Sequence, residues 1–290
     1  GNLVTDYDRD IVTIRYNLLN LPDTIQFRNG NQIVHRYDAS GRRLSTRYVT
    51  IYFQLAQPLN QGEVVSGIDV CYEDNVSIVG NDYVENIEYY TARYFDYDLS
   101  EVPVESYLAN KIYFDQGYIQ GFRLVHSTPR YYYFRHDQLG NIREVWAAAY
   151  IHNGNPRPAA TVQRIQYYPS GLPWNNNDTY SPIGQNRKYN GKEFVEMHGL
   201  DEYDSEARWY YPAIMRATIM DPLAEKYYDI SPYAWCGNNP VKYVDPDGRK
   251  IKFANNVSAE FKSQFSTTVK FMRNKGTDGL ISSIHKDKGT

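Results

Sequence analysis

Two aspartates and an arginine in the last third of the chain are the residue types that acid–base chemistry needs. Asp221 and Asp245 each precede a proline, and Arg208 lies upstream of both. Two carboxylates held close together cannot both ionise cheaply, so one keeps its proton as an acid while the other activates water. Asp221 and Asp245 are candidates for such a pair if the loop between them folds back on itself. An arginine adds a planar fork of donors that orients a carboxylate or polarises a carbonyl. The same residues also read as plain structure. Asp221-Pro222 is a helix N-cap with proline at the first helical position, Ser231-Pro232 repeats the device, and Asp245-Pro246-Asp247-Gly248 is a β-turn. Arg208 is equally readable as a structural ion-pair partner.

Other chemistry has little support in the residue pattern. The six histidines (His35, His126, His136, His152, His198 and His285) are dispersed. With no HExxH and no paired-cysteine spacing, neither a metal site nor a cofactor is expected. Cys236 sits in a Cys-Gly-Asn-Asn-Pro turn with no histidine near it in sequence, which argues against a nucleophile. Cys71 and Cys236 exclude a disulfide framework and permit one bridge. A net charge of −3 gives no basic field for nucleic acid. No apolar run reaches the ~18 residues of a membrane span. A first residue that is Gly rather than Met, with no signal peptide, and the polar ending HKDKGT read as a piece of something longer.

The elements that must position these residues are strands. Tyrosine is the compositional outlier, 29 residues against 11 phenylalanines, and its ring favours half-buried pleated surface with the hydroxyl at a wet edge. Thr24 to Phe27 alternates with period two, Asn29-Gly30-Asn31 turns the chain, and Ile33 to Tyr37 returns. Asp38 to Gly41 turns again and Arg42 to Tyr48 leads away. The frame of YDASGRRL (37 to 44) recurs at His136 to Arg143, at Tyr203 to Arg208 with Glu206 in the glycine slot, and in truncated form at Tyr168 to Gly171. Strand-like runs lie between these turns, at Lys111 to Phe114, Tyr118 to Leu124, Tyr131 to Arg135 and Val162 to Tyr168. Such units extend a sheet one hairpin at a time, because no single hairpin buries its own face. Residues 54 to 110 read as an irregular insertion, and 152 to 160 and 169 to 187 as loops. After Gly248 the apolar residues Val257, Phe261, Phe265, Val269 and Met272 follow a helical period, with a second short helix around Leu280 to Ile284.

The motifs YDASGRRL, RHDQLGNIREVW (135 to 146), YYPSGLPW (167 to 174), NGKEF (190 to 194), YDSEARWY (203 to 210) and DPLAEKYYDISPYAWCGNNPVKYVDPDG (221 to 248) together resemble the Rhs/YD-repeat family. The likeness is specifically to the Rhs repeat-associated core domain of bacterial polymorphic toxins. The resemblance implies a β-sheet that spirals into a shell around a C-terminal effector. It also implies a core domain that plugs the shell and cuts the chain by aspartyl-type autoproteolysis. On that basis Asp221 and Asp245 are the motif carboxylates, Arg208 is the motif arginine, and the cut falls in Gly248, Arg249 and Lys250. This chain departs from the family pattern at Tyr211 before Pro212, at Met215-Arg216-Ala217, at Ala224 and at Arg249.

The expectation is therefore an all-β fold: a YD-repeat spiral or meander sheet (a partial β-shell), a compact C-terminal core plug and a short α-helical tail. The expected divisions are 1–150 for the sheet, 151–248 for the core domain and 249–290 for the start of the variable effector. A strand takes ~6 residues plus a turn, so this length supplies too few strands to enclose a guest. The expected role is a toxin-shell fragment that encapsulates and releases its effector in competition between bacteria. The alternative is a cell-surface binding or adhesive module without catalysis, its aromatic strands meeting glycans through residues such as Trp174 and Trp209. The implied partners are its own effector, an immunity protein and secretion-system components, and the implied location is secreted or cell-surface.

Overall fold

The computed structural model describes residues 1–52, 55, 57–65, 76–94, 104–121, 129–152, 154–174, 185–226 and 230–254, with 259, 262–264, 266 and 267 beyond them. Ten strands follow one another as an antiparallel meander: β1 (Ile11–Tyr16), β2 (Pro22–Phe27), β3 (Gln32–Tyr37), β4 (Arg43–Ile51), β5 (Val76–Val84), β6 (Ile87–Tyr94), β7 (Val104–Phe114), β8 (Gly117–Gln120), β9 (Arg130–His136) and β10 (Ile142–Ala147). A hairpin, β11 (Tyr150–His152) and β12 (Asn155–Arg157), then leads to β13 (Ala160–Arg164), which pairs with β10 as the eleventh strand.

The turns explain why these residues form a meander. Asp38 accepts the Ser40 and Arg42 amides on Oδ1 at 2.9 and 3.0 Å, and Gly41 takes a φ of +88°. Asp137 holds Leu139 and Asn141 in the same way at 2.9 and 3.1 Å, with Gly140 at +79°. A short side-chain acceptor folds the backbone over itself, and a glycine supplies the left-handed residue. The same turn occurs at Asn17, whose Oδ1 accepts Leu19 and Leu21 at 2.9 and 3.0 Å while Asn20 takes the left-handed position at +64°. That copy has neither Asp nor Gly, and it escapes the sequence frame.

Two expected boundaries move. Within 54–110, read as irregular, residues 76–94 and 104–110 belong to β5, β6 and β7 in the middle of the sheet. Their hairpin turns at Glu85 (φ +54°) and Asn86, with no Gly or Pro to mark it. The sheet also runs past residue 150, through β13. Of the helical tail, residues 259, 262–264, 266 and 267 are helical. The expected helix at 280–284 lies outside the described residues.

The C-terminal part is a plug of small sheets: β14 (Gln166–Tyr167) with β15 (Pro173–Trp174), a four-stranded sheet of β16 (Glu193–Val195), β17 (Glu202–Asp204), β18 (Trp209–Tyr211) and β19 (Arg216–Ala217), and β20 (Tyr243–Val244) with β21 (Lys252–Phe253). Tyr189, Phe194, Tyr203, Tyr210, Trp235 and Cys236 form its core. A second cluster joins the plug to the meander: Val195, Leu200 and Trp209 pack on Ile11, Ile14, Ile25, Phe27, Ile33 and Tyr48 of β1 to β4. Buried ion pairs reinforce that seam. Arg43 meets Glu193 and, at 3.1 Å, Asp204, and Arg9 meets Glu202 at 2.7 Å.

Candidate active site

Strand β18 sets the geometry of the site by its period of two. Successive side chains of a strand point to opposite faces. Trp209 therefore enters the seam with the meander, where it is fully buried and its ring lies 4.6 Å from that of His35. Arg208 and Tyr210 face the interior of the plug. There Tyr210 stacks on Trp235 at 4.3 Å, and the Arg208 guanidinium lies over the same indole at 5.5 Å.

The Arg208 guanidinium uses all three of its nitrogens. Nη2 donates to Asp245 Oδ2 at 2.6 Å, and Nη1 lies 3.2 Å from Asp221 Oδ2. Nη1 also donates to the Ala234 carbonyl at 3.2 Å, and Nε donates to the Gly248 carbonyl at 2.6 Å. The Arg208 and Asp245 side chains are 1% and 0% exposed, and that of Asp221 is 11% exposed. Two carboxylates far apart in sequence thus meet at one buried cation.

Asp221 also shapes a local turn, although Pro222 does not open a helix as the N-cap reading expected. Its Oδ1 accepts the Leu223 amide at 2.8 Å, ahead of a 3-10 turn at Ala224–Lys226. One oxygen shapes the local turn and the other faces Arg208. Asp245 divides its oxygens similarly, since Oδ1 accepts the Lys250 amide at 3.2 Å. Gly248 sits between, at a φ of +72°, where an added Cβ would lie 2.5 Å from the Ser205 carbonyl oxygen. Only glycine fits that approach.

Burial pushes the Asp245 carboxyl up from the ordinary carboxylate range. The Arg208 charge opposes this, and the negative charges of Asp247 and Asp221 add to it. Asp221 is raised for the same first reason, again against Arg208. Burial also raises the Cys236 thiol, helped by the Asp245 charge. That environment disfavours the thiolate a nucleophile needs. Cys71 lies outside the described residues.

Asp247, in sequence only a turn residue, accepts the amides of both Arg249 and Lys250 on Oδ1, at 3.1 and 3.2 Å. A third carboxylate two positions after Asp245 in DPDG was the visible signal. Arg249 and Lys250 are both exposed residues, and their backbone amides donate into the site. Trp209 does not meet glycans as expected, because no face of its ring reaches solvent. Trp174 is 57% exposed, and its ring lies 5.9 Å from that of Tyr168, which is 50% exposed. Among the described residues, no group of three His, Cys, Asp or Glu side chains is arranged to hold a metal. No described helix is long and apolar enough to cross a membrane.

No family model matches the chain. Among curated proteins, it is 48% identical over 62 residues to salivary gland surface protein 1 of Aedes aegypti, a match spanning 21% of this chain and 2% of that protein. Among solved structures it is similar to the TcdB2-TccC3-Cdc42 complex, with a TM-score of 0.60 and 16% identity over 86% of this chain. It is likewise similar to TcdB2-TccC3, with a TM-score of 0.57 and 16% identity over 82% of this chain. In each case it spans 10% of the solved chain. The fold of the present chain is accordingly nearly all β, built on a large antiparallel sheet, and matches the Rhs-type fold of these Tc toxin structures.

Proposed function

We propose that this chain is a segment of a toxin-type β-shell whose plug cuts the polypeptide between Arg249 and Lys250, freeing the segment that follows for use against competing bacteria. The observation that carries this reading is the convergence on Arg208. One buried guanidinium holds Asp221, Asp245 and the Gly248 carbonyl, while the other oxygen of Asp245 meets the Lys250 nitrogen. In the proposed reaction ionised Asp221 takes a proton from a water, whose oxygen attacks the Arg249 carbonyl carbon. The bond to the Lys250 nitrogen then breaks, and protonated Asp245 delivers its proton to that nitrogen. Arg208 keeps both carboxylates and the chain in register, and the dry surroundings strengthen each of these interactions.

Intact mass measured under denaturing conditions tests it. The purified chain is expected as two pieces, 1–249 and 250–290, and Asp245→Asn or Asp221→Asn is expected as one full-length species. A single uncut wild-type species across pH 4 to 8 would sink the reading.

A second reading, a surface module that binds without cutting, draws on a different observation. Tyr168 and Trp174 form an exposed aromatic pair of the kind that stacks on sugar rings, and the curated relative is itself described as a surface protein. Glycan-array binding lost in Trp174→Ala, in a chain that stays uncut, would favour it.

A further inference from the structure

Hydrolysis between Arg249 and Lys250 would turn the Lys250 amide into a primary amine. Such a group titrates near ~7.7–8.0 and carries a proton at neutral pH. In the intact chain this nitrogen lies 3.2 Å from Asp245 Oδ1 and 3.2 Å from Asp247 Oδ1. The residues that follow it are already seated on the plug. Strand β21 pairs with β20 through Lys252 opposite Val244 and Phe253 opposite Tyr243. The Ala254 amide donates to the Lys242 carbonyl at 3.0 Å. Ile251 and Ala254 are 7% and 1% exposed, and the rings of Phe253 and Tyr243 lie 5.2 Å apart.

We propose that the plug is a binding site for the amino terminus its own cut creates. The Lys250 ammonium sits between Asp245 and Asp247, and residues 251–254 remain as a strand added to β20, so that the freed segment stays docked without a covalent link. This rests on the cutting reading above. Two general effects act together. Strand addition binds through the backbone, with pockets for alternate side chains, and an amine is captured by acceptors converging on it. Converting the amide donor to an ammonium sets a positive charge, with more than one N–H, against the carboxylate oxygens of Asp245 and Asp247 that already accept from this nitrogen. The charged groups around the new amine are Asp245 and Asp247 directly, with Arg208 and Asp221 behind Asp245 and the Cys236 thiol beside it; the same hydrolysis leaves a carboxylate at Arg249, on the exposed side of the turn.

The test prepares cut chain in two ways. One uses self-cutting. The other uses factor Xa on a full-length chain with Ile-Glu-Gly inserted ahead of Arg249, which leaves the same Lys250 amine. Denaturing mass spectrometry reports whether the chain is cut, and native size exclusion reports whether the pieces stay together. Residues 250–290 are expected to co-elute with the larger piece at neutral pH, and Ile251→Asp to lower the retained fraction at least tenfold. A free-amine peptide of residues 250–254 is expected to displace the segment, and its N-acetylated form to need at least tenfold more. Separate elution of the cut wild-type pieces, an inert Ile251→Asp, or equal potency of the two peptides would each overturn the clamp. A chain that never cuts itself yet retains its segment after factor Xa would sink the cutting reading and leave this binding surface standing.

Discussion

Arg208 compensates two buried carboxylates, so its removal strands both. Breaking a buried ion pair from one side costs about 3–5 kcal/mol, and Arg208→Ala is expected to lose stability on that scale in urea unfolding, along with any cut. Arg208→Lys keeps a charge but not the fork that reaches Asp221, Asp245 and Gly248 at once. The proposed cut also has a signed pH dependence. Burial raises the pKa of both Asp245 and Asp221, and the reaction needs one of the pair protonated. The cutting rate is therefore expected to be held on the acid side and to fall as pH rises through the raised value of the proton donor, as followed by mass over a pH series. A rate that climbs steadily toward alkaline pH would remove the aspartyl assignment. At this scale Asp221 and Asp245 are legible because Asp-Pro turns are conspicuous, and Arg208 stands out only through the resemblance of its motif. Their meeting is not legible, since it depends on which face of β18 turns inward, and that face is decided by Trp209 docking on the distant strands β1 to β4.

Among the elements, the Asp-centred turn sets the repeat. Asp137 takes two backbone amides and the Asn141 side-chain amide, the last at 2.9 Å. Asp137→Ala leaves the amides to find other partners, an expected loss of about 1–3 kcal/mol with the sheet otherwise intact. Denaturant unfolding checks the magnitude, and Asp137→Asn, which keeps the acceptor, is expected to recover most of it. Hairpins with Asn-Gly or Asp-x-x-Gly were readable because their residues have a mechanism for turning. The Glu85–Asn86 turn and the Asn17–Leu21 turn were not, because Glu85 and Asn20 adopt left-handed backbone without advertising it. There the pairing of long flanking strands decides the conformation, and local preference is overruled.

For the molecule as a whole, the seam between meander and plug carries much of the cohesion. Trp209→Ala empties a fully buried site that touches both parts, with an expected loss of about 3–5 kcal/mol. Its unfolding curve is expected to split into two transitions, one for each side of the seam. His35 lies in the same seam, bonded to Thr46 at 3.0 Å, with its pKa pushed well below the usual 6.5 by burial and then by the Arg43 charge. The unfolded chain binds a proton there before the folded one does, so stability is fully present above about pH 6.5 and is lost as pH falls below it. His35→Gln is expected to flatten that decline between pH 7 and 5, measured by thermal unfolding. The seam could not be read from sequence, because Arg43 with Glu193 and Arg9 with Glu202 are ordinary charges until the chain brings them together.

The order of strands in the meander has a consequence for biosynthesis. Ten strands pair with the strand made immediately before them or across one short hairpin, so each can dock as it leaves the ribosome. The cover for β1 to β4 comes from residues 195 to 209, and Leu3 donates its amide to the Thr218 carbonyl. At about 5–20 residues per second, those first strands wait roughly 10–40 s for their lid. During that interval the apolar face of Ile11, Ile25 and Ile33 is open to its surroundings. A nascent chain stalled before residue 195 should therefore bind chaperone, and one stalled far enough beyond residue 218 for the plug to emerge should release it.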